Sequence, residues 1–236
     1  FALSSINLMS PPLLFTQHLR LEVEDRLLIK GLSLSLSPGS FVAVTGPSGS
    51  GKTTLLRTLA GELDPVAGQV SNCLESSSQL AMIFQDLQLA DGATAVTHVL
   101  GGSLGRHSFL STLWSFPKDE REEASRLLSQ FGLSSKESQW VSTLSRGERQ
   151  RVAACRTLLA RPLLLLADEP VSSLDPSSAD QILTHLKSTI TQRKGCLVCA
   201  LHNDEQVEKF ADLVLRLDST DPQGWKLENL QPSNQT

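Results

Sequence analysis

The sequence predicts an α/β fold with a parallel-sheet core, an N-terminal antiparallel β subdomain and an inserted helical subdomain. Short apolar segments alternate with segments of helical periodicity, which indicates parallel strands joined by right-handed crossover helices. Near the N-terminus apolar and polar residues alternate, as in half-buried antiparallel strands. From about residue 86 to residue 145 the pattern becomes Gly-rich and then charged and amphipathic. This stretch indicates a mostly helical insertion.

The predicted elements follow in chain order. The strands are Leu19–Val23, Leu27–Leu36, Phe41–Val44, Leu163–Ala167 and Cys196–Leu201. The helices are Lys52–Ala60, Lys118–Phe131 and a crossover helix that starts at Pro176, a residue favoured in a first helical turn. We expect a single domain over residues 1–236, with a core at about 15–85 and 146–218, the helical subdomain at about 86–145 and a loose polar tail over 219–236.

Composition excludes some classes of function. A chain of 236 residues with 40% hydrophobic residues can bury a sizeable core, and its net charge of −4 argues against general nucleic-acid binding. No apolar run approaches the roughly 20 residues that span a bilayer. The first residues contain no basic segment of a signal peptide. We therefore expect no nucleic-acid partner and membrane contact only through partner proteins.

Four cysteines raise the question of a metal site. Cys196 and Cys199 are three apart, but no second pair follows and both lie in an apolar segment. On a strand, residues three apart face opposite sides of the sheet, which is poor geometry for holding one ion. We interpret them as core residues of a protein from a reducing compartment.

A phosphate-binding motif lies between the third predicted strand and the first predicted helix. The segment Gly46-Pro47-Ser48-Gly49-Ser50-Gly51-Lys52-Thr53 matches the P-loop pattern G-x-x-x-x-G-K-[ST]. Its glycines let backbone N–H groups surround phosphate oxygens, Lys52 supplies a positive charge, and Thr53 supplies a hydroxyl to Mg²⁺. The strand and helix on either side disfavour the alternative of a simple Gly-rich turn. The motif predicts a P-loop NTPase (RecA-like) core.

An acid pair follows the fourth predicted strand. Asp168 and Glu169 stand at the carboxyl end of that strand, where α/β sheets build their sites. We expect Asp168 to hold Mg²⁺ and Glu169 to polarise an attacking water. Two acids that merely end a strand at the surface are the alternative, which the P-loop disfavours. The guanine-binding pattern Asn-Lys-x-Asp is absent from the sequence, which disfavours a GTPase.

The segment Leu144-Ser145-Arg146-Gly147-Glu148-Arg149-Gln150 precedes a predicted helix and resembles the signature loop, Leu-Ser-Gly-Gly-Gln, of the ABC ATPase family. Other motifs of that family follow the same order. Gln85 resembles the Q-loop glutamine, Ser172–Asp175 resembles the D-loop, and His202 resembles the switch histidine. The resemblance covers about residues 19–217.

The resemblance implies ATP with Mg²⁺, bound in a head-to-tail homodimer. It places the nucleotide on the residues Gly46, Pro47, Ser48, Gly49, Ser50, Gly51, Lys52, Thr53 and Thr54. Ser145 and the N–H of Gly147 are then expected to meet the γ-phosphate bound to the opposite subunit, and Asp175 to cross the interface. Gln85 is expected to sense Mg²⁺ and the attacking water, and His202 to contact the γ-phosphate.

The chain departs from the family pattern at three positions. Arg146 and Glu148 replace a glycine and the glutamine of the signature, whereas Ser145 and Gly147 are kept. The family stacks an aromatic residue on adenine about 23 positions before the first P-loop glycine, but Val23 stands there and the chain has no Tyr. A valine offers less contact area and no π-stacking.

The insertion refines the resemblance. The segments 99–108 and 116–124 resemble ATPase subunits of phosphonate and phosphite importers. This group implies integral-membrane permease subunits, a periplasmic or extracellular binding protein acting indirectly, and a peripheral position on the cytoplasmic face of the inner (plasma) membrane. Five apolar residues are either a permease-docking patch or ordinary subdomain packing: Phe109, Leu110, Leu113, Trp114 and Phe116. Three arginines are expected to solvate or brace the signature helix rather than to bind nucleic acid: Arg149, Arg151 and Arg156.

Two other hypotheses remain open at this stage. One is an ABC ATPase of another importer class, or a soluble ABC ATPase of assembly or repair, such as an iron–sulfur assembly factor. The sequence has no long coiled-coil insertion, and Cys196 and Cys199 are poorly placed for scaffolding. The other is a nucleotide-binding regulator without turnover, which the presence of Glu169 and His202 disfavours.

Overall fold

The computed structural model describes residues 11–106 and 116–230. Its strands are β1 Leu14–Val23, β2 Arg26–Leu32, β3 Ser35–Leu36, β4 Phe41–Thr45, β5 Ala67–Asn72, β6 Leu80–Ile83, β7 Leu164–Asp168, β8 Cys196–Ala200, β9 Leu213–Leu217 and β10 Trp225–Asn229. Its α-helices are α1 Lys52–Leu59, α2 Ala95–Gly101, α3 Lys118–Gln130, α4 Arg146–Leu159, α5 Pro176–Gln192 and α6 Asp204–Phe210.

The larger sheet has six strands in the order β10-β9-β4-β8-β7-β6. Strands β9, β4, β8, β7 and β6 pair in parallel, and β10 pairs antiparallel with β9. Every residue of β4, β7 and β8 is buried, as expected for parallel strands covered on both faces. The α/β prediction is confirmed.

Successive residues of these strands enter two different hydrophobic cores. Cys199 belongs to the core formed with α3, α4 and α5, whereas Cys196 belongs to the core formed with α1 and the N-terminal strands. The sequence interpretation of both as core residues is confirmed. Burial raises the pKa of the Cys196 thiol to about 11, so this sulfur stays protonated and unreactive at neutral pH.

The second sheet is antiparallel and is built around β1, which pairs with β2, β3 and β5. The β1–β2 hairpin of this sheet lies beside the start of α1. A Cβ on Gly51 would be only 2.9 Å from Leu28 Cδ1 of β2. The sequence predicts one strand over Leu27–Leu36, whereas the structure divides this segment between β2 and β3. Gly31, with φ of 72°, lies at the end of β2, where few other residues adopt such a backbone.

In its described residues, 86–106 and 116–145, the predicted insertion contains α2, α3 and three short 3₁₀ segments. Helix α2 is capped by Thr94, whose side chain accepts a hydrogen bond from the N–H of Thr97. Arg106 joins the insertion to α4, because its guanidinium donates to Glu120 at 2.8 Å and to the carbonyl of Leu159 at 2.7 Å. Of the five apolar residues of the predicted patch, Phe116 is described and packs against the core; the other four lie outside the described residues.

The polar tail expected from residue 219 is wrong for Trp225–Asn229, which form β10. Polar residues suit this strand because four of its five residues are exposed. Strand β10 also contacts the second sheet, since Trp225 Nε1 donates to the carbonyl of Lys30 in β2 at 3.0 Å. Strand β10 therefore ties the two sheets together.

This bond predicts a measurable contribution to stability. We expect Trp225→Phe to lower the free energy of unfolding by about 1 kcal/mol, because it leaves the Lys30 carbonyl without this donor. Urea unfolding measures the loss. The control is Trp140→Phe, since Trp140 is 53% exposed and should change stability little. Equal effects of the two substitutions would contradict the role given to Trp225.

Candidate functional site

The P-loop connects β4 to α1 and closes around the Lys52 ammonium. Gly51 precedes α1 with φ of 101°, a left-handed conformation that favours glycine. Lys52 is 6% exposed, and its Nζ donates to the carbonyls of Gly46 at 2.9 Å and Pro47 at 3.2 Å. The loop thus holds a buried cation at the N-terminus of a helix, an arrangement that attracts phosphate.

A cavity of about 540 Å³ lies over this loop. Its walls come from the P-loop, the β1–β2 hairpin and the ends of β6 and β7. The lining residues are Val23, Glu24, Arg26, Leu28, Ser48, Gly49, Gly51, Lys52, Thr53, Thr54, Gln85 and Glu169. The cavity brings the predicted P-loop residues together with Gln85 and Glu169, and its size suits a nucleotide-sized ligand.

Thr53 and Asp168 form a cluster of oxygen ligands at the floor of the site. The Thr53 hydroxyl donates to Asp168 Oδ2 at 2.7 Å. Asp168 is 1% exposed, and its Oδ1 is buried without a hydrogen-bond partner among the described residues. An unsatisfied buried carboxylate oxygen beside a hydroxyl fits Mg²⁺, which takes oxygen ligands. Burial raises the pKa of Asp168, and the charge of Glu169 raises it further, although the Thr53 hydrogen bond opposes the shift.

Glu169 and His202 meet because β7 and β8 are neighbours. Asp168 pairs in register with Ala200, so the residues that follow these two strands come out at the same edge. His202 Nε2 lies 2.5 Å from Glu169 Oε1. Glu169 also has a φ of 52°, an uncommon backbone conformation for a residue with a side chain. The geometry therefore holds the Glu169 carboxylate at the cavity wall beside an imidazole.

The predicted signature loop begins α4. Ser145 is the N-cap: its Oγ accepts from the N–H of Glu148, and Glu148 in return accepts from the N–H of Ser145. Such a capping box fixes the first turn of a helix. Gly147 lies close to the predicted D-loop, because a Cβ there would be 2.8 Å from Leu174 Cδ2. The helix start therefore packs directly against the predicted D-loop.

Gln150 is a functional candidate that the sequence reasoning did not single out. It is 2% exposed. Its Nε2 donates to Ser172 Oγ, and its Oε1 accepts from the N–H of Ser173, both at 3.2 Å. A buried glutamine that satisfies both ends of its amide holds two segments in fixed positions. The sequence signal was a glutamine on a buried helix face whose other residues carry neither an amide nor a charge.

The remaining predicted residues lie around this centre. Asp175 caps α5, with Oδ1 accepting from the N–H of Ser178 at 3.0 Å, so its carboxylate has a structural role within its own chain. Gln85 is exposed and lines both the nucleotide-sized cavity and a groove beside α1. Arg156 donates to the carbonyls of Leu87 and Gln88, just after Gln85. Helix α4 thus contacts the loops of both Gln85 and Asp175.

Val23 and Arg26 form the part of the cavity lining that comes from the β1–β2 hairpin, together with Glu24 and Leu28. Val23 and Arg26 face each other as a pair in the β1–β2 hairpin, and both line the cavity. Val23 is 44% exposed. The aromatic residue Phe15 lies on the same strand as Val23, but it pairs with Ser35 and Ser71 and is not among the residues that line the cavity.

Comparison with known proteins identifies the family. Residues 29–172 match the family model described as ABC transporter. The chain belongs to the ABC transporter family. It is an ATP-binding and ATP-hydrolysing subunit of that family.

Among curated members of the ABC transporter family, this chain is similar to phosphonates import ATP-binding proteins. The phosphonates import ATP-binding protein PhnC 1 of Haloquadratum walsbyi is 37% identical over 194 residues, which are 80% of this chain and 64% of that protein. PhnC 3 of a Nostoc species is 36% identical over 79% of this chain and 76% of its own length. PhnC of Bdellovibrio bacteriovorus is 38% identical over 80% and 78%.

Solved structures agree on the fold. A dimeric ATP-binding cassette in a post-hydrolysis state with ADP and phosphate superposes with a TM-score of 0.78 at 23% identity, covering 92% of this chain and 99% of that one. An inward-facing metal-chelate type ABC transporter superposes with a TM-score of 0.78 at 23% identity, covering 94% of this ABC ATPase and 84% of that chain. Within the described residues, every helix is too short or too polar to cross a membrane.

The raised pKa of Asp168 predicts a trade between stability and activity. Burial penalises its charged form, so the penalty is present at neutral pH and is relieved as the pH falls through the raised pKa. We expect Asp168→Asn to raise the thermal midpoint by a few degrees at pH 8 and less at pH 5, while hydrolysis is lost. Calorimetry without nucleotide measures the thermal midpoint at each pH. The control is Asp64→Asn, because Asp64 is exposed. A midpoint lowered equally at both pH values would contradict this reading.

Proposed function

We propose that this ABC ATPase powers an importer for phosphonates or related phosphorus oxyanions. The observation that carries the proposal is the identity of 36–38% to three proteins named as phosphonates import ATP-binding proteins. The relatives come from different organisms and match about four fifths of this chain. Cargo selection itself belongs to the partner proteins, since the described cavity over the P-loop is built for a nucleotide.

Each residue at the ATP site has a proposed role. Lys52 and the P-loop N–H groups hold the β- and γ-phosphates. Thr53 and Asp168 hold Mg²⁺ together with Gln85; the ion supplies charge neutralisation to the phosphates when bound. Glu169 accepts the proton of the attacking water. The hydrogen bond that His202 Nε2 donates orients this carboxylate. Nδ1 of His202 can donate to the γ-phosphate when both ring nitrogens carry a proton.

The second half of the site comes from a partner subunit in this proposal. Two copies pair head to tail, and the α4 N-terminus of one copy faces the γ-phosphate held by the other. The capping bond uses Ser145 Oγ as an acceptor, so its hydroxyl proton is available to a phosphate oxygen. The N–H of Gly147 is a second donor at the positive end of the helix. Asp175 crosses the interface from the same face.

Partners and location follow from the importer class. We propose that the ATPase dimer binds integral-membrane permease subunits on the cytoplasmic face of the inner (plasma) membrane, and that a periplasmic or extracellular binding protein acts through them. The test is affinity purification of the tagged chain from solubilised membranes of its host. A permease that co-purifies supports the proposal.

Deletion of the gene should abolish growth on phosphonate as the sole phosphorus source but not on phosphate; unchanged growth would contradict the assigned cargo.

Glu169→Gln should separate ATP binding from hydrolysis. We expect hydrolysis to slow by roughly 10²–10⁴, the range for a lost general base, with binding retained. ATP should then accumulate a dimer, which light scattering coupled to size exclusion detects. Lys52→Ala is the comparison, because it removes the buried cation and should weaken ATP binding itself. A Glu169→Gln variant that stays monomeric at saturating Mg·ATP counts against the head-to-tail dimer.

Val23→Tyr should strengthen ATP binding. Val23 and Arg26 offer the base an aliphatic surface and a guanidinium, and an aromatic ring adds stacking worth roughly 1–3 kcal/mol. We expect the Kd for ATP to fall about tenfold, while the Kd for inorganic tripolyphosphate, which has no base, stays the same. Isothermal titration measures both. Equal changes for the two ligands, or none, would show that the base binds elsewhere.

A further inference from the structure

The signature loop carries a negative charge that the family motif lacks. Glu148 stands at the position of the glutamine in the family signature Leu-Ser-Gly-Gly-Gln. Its Oε2 accepts from the N–H of Ser145 at 2.8 Å, and Ser145 Oγ accepts from the N–H of Glu148 at 3.3 Å. The carboxylate is therefore fixed at the α4 N-terminus, beside the two groups proposed to bind a phosphate.

Lys136 contacts the other oxygen of this carboxylate. Its Nζ lies 3.0 Å from Glu148 Oε1, and the two side chains are 34% and 17% exposed. Lys136 ends the 3₁₀ segment Ser134–Lys136 of the helical insertion, so it reaches the signature loop from outside α4. The pair is half-buried, where salt screens charges less than it does at an open surface.

Glu148 is ionised at neutral pH. The pKa of its carboxyl is lowered first by the Ser145 N–H and then by the hydrogen bond and charge of Lys136, while burial acts in the opposite direction. The neighbouring Arg149 guanidinium is engaged elsewhere, since it donates to the carbonyls of Leu144 and Ser142. Lys136 is thus the cation that contacts Glu148 among the described residues.

We infer that Lys136 is a positioning residue that offsets the charge of Glu148, so that the α4 N-terminus can still accept the γ-phosphate of ATP bound to the opposite subunit. This inference rests on the proposed head-to-tail dimer. An uncompensated carboxylate in the first turn repels a phosphate that approaches the same N–H groups. A lysine held against it removes most of that repulsion and leaves the capping box intact.

A merely structural role for the ion pair is the competing reading. In that case Lys136 anchors the loop, and its loss acts whatever the charge at position 148. The charge can be removed without removing the cap, because the amide oxygen of Gln can still accept from the N–H of Ser145. The two readings therefore differ in whether Glu148→Gln cancels the effect of losing Lys136.

The experiment is a double-mutant cycle in the Glu169→Gln background. Light scattering measures the ATP concentration that gives half-maximal dimer for Lys136→Met, for Glu148→Gln and for both together. We expect Lys136→Met to raise that concentration roughly three- to tenfold, within the range for directly coupled charges, and the double variant to lie within about twofold of Glu148→Gln. Lys136→Arg should restore the parent behaviour.

Two controls keep the result interpretable. Lys118→Met removes another lysine of the insertion, one that pairs with Glu122 at 3.4 Å, and should leave dimer formation unchanged. Binding of tripolyphosphate to the protomer should be the same in all variants, because the P-loop of each chain is intact.

Each outcome decides. An effect of Lys136→Met that is equal with Glu and with Gln at position 148 overturns charge compensation in favour of anchoring. No effect of Lys136→Met also overturns it. A parent Glu169→Gln protein that binds ATP but never dimerises overturns the proposed dimer and this inference with it, whereas a dimer that ignores Lys136 overturns the inference alone.

Discussion

The site depends on the adjacency of β4, β8 and β7 in the parallel sheet. Because all three strands run in the same direction, their carboxyl ends meet at one edge. The P-loop follows β4, the acid pair ends β7, and His202 follows β8. The Thr53–Asp168 and Glu169–His202 contacts exist only because this pairing places residues 115 and 33 positions apart side by side. The hydrophobic cores that cover both faces of the sheet hold these contacts in place.

Helix α4 joins this edge to the rest of the molecule. At its start Ser145 and Glu148 form the capping box, and one turn on Gln150 binds Ser172 and Ser173 of the predicted D-loop. Near its end Arg156 holds the carbonyls of Leu87 and Gln88. The latter two residues have positive φ, so the loop after Gln85 is tightly constrained. A rigid helix with fixed contacts at both ends can carry a displacement from one loop to the other.

Much of this could be predicted from the sequence. The P-loop, the acid pair and His202 each follow an apolar segment, so their place at the end of a strand needs only the periodicity of the chain. The predicted residues Lys52, Thr53, Gln85 and Glu169 do line one cavity. The pairing of strands was harder to predict. The predicted strand Leu27–Leu36 is divided between β2 and β3, which pair with different stretches of β1. A local sequence pattern does not show where such a division falls.

Long-range polar contacts explain the rest of what the sequence missed. Strand β10 is mostly exposed, so it lacks the apolar pattern by which strands are found, and its pairing with β9 comes from backbone bonds. The bonds of Gln150 and the ion pair of Lys136 with Glu148 join residues from different segments. Sequence spacing carries no signal for such pairs.

In the proposed dimer each ATP site takes its phosphate loop from one chain and its signature helix from the other. Two variants that are each inactive should then complement each other when they are mixed. Lys52→Ala disables the P-loop, and Ser145→Asp keeps a good N-cap residue but sets a negative charge against the phosphate. Mixed dimers then contain one site with an intact P-loop facing an intact signature. We expect the mixture to hydrolyse ATP at a rate that neither variant reaches alone. A mixture as inactive as its components would contradict the proposed dimer.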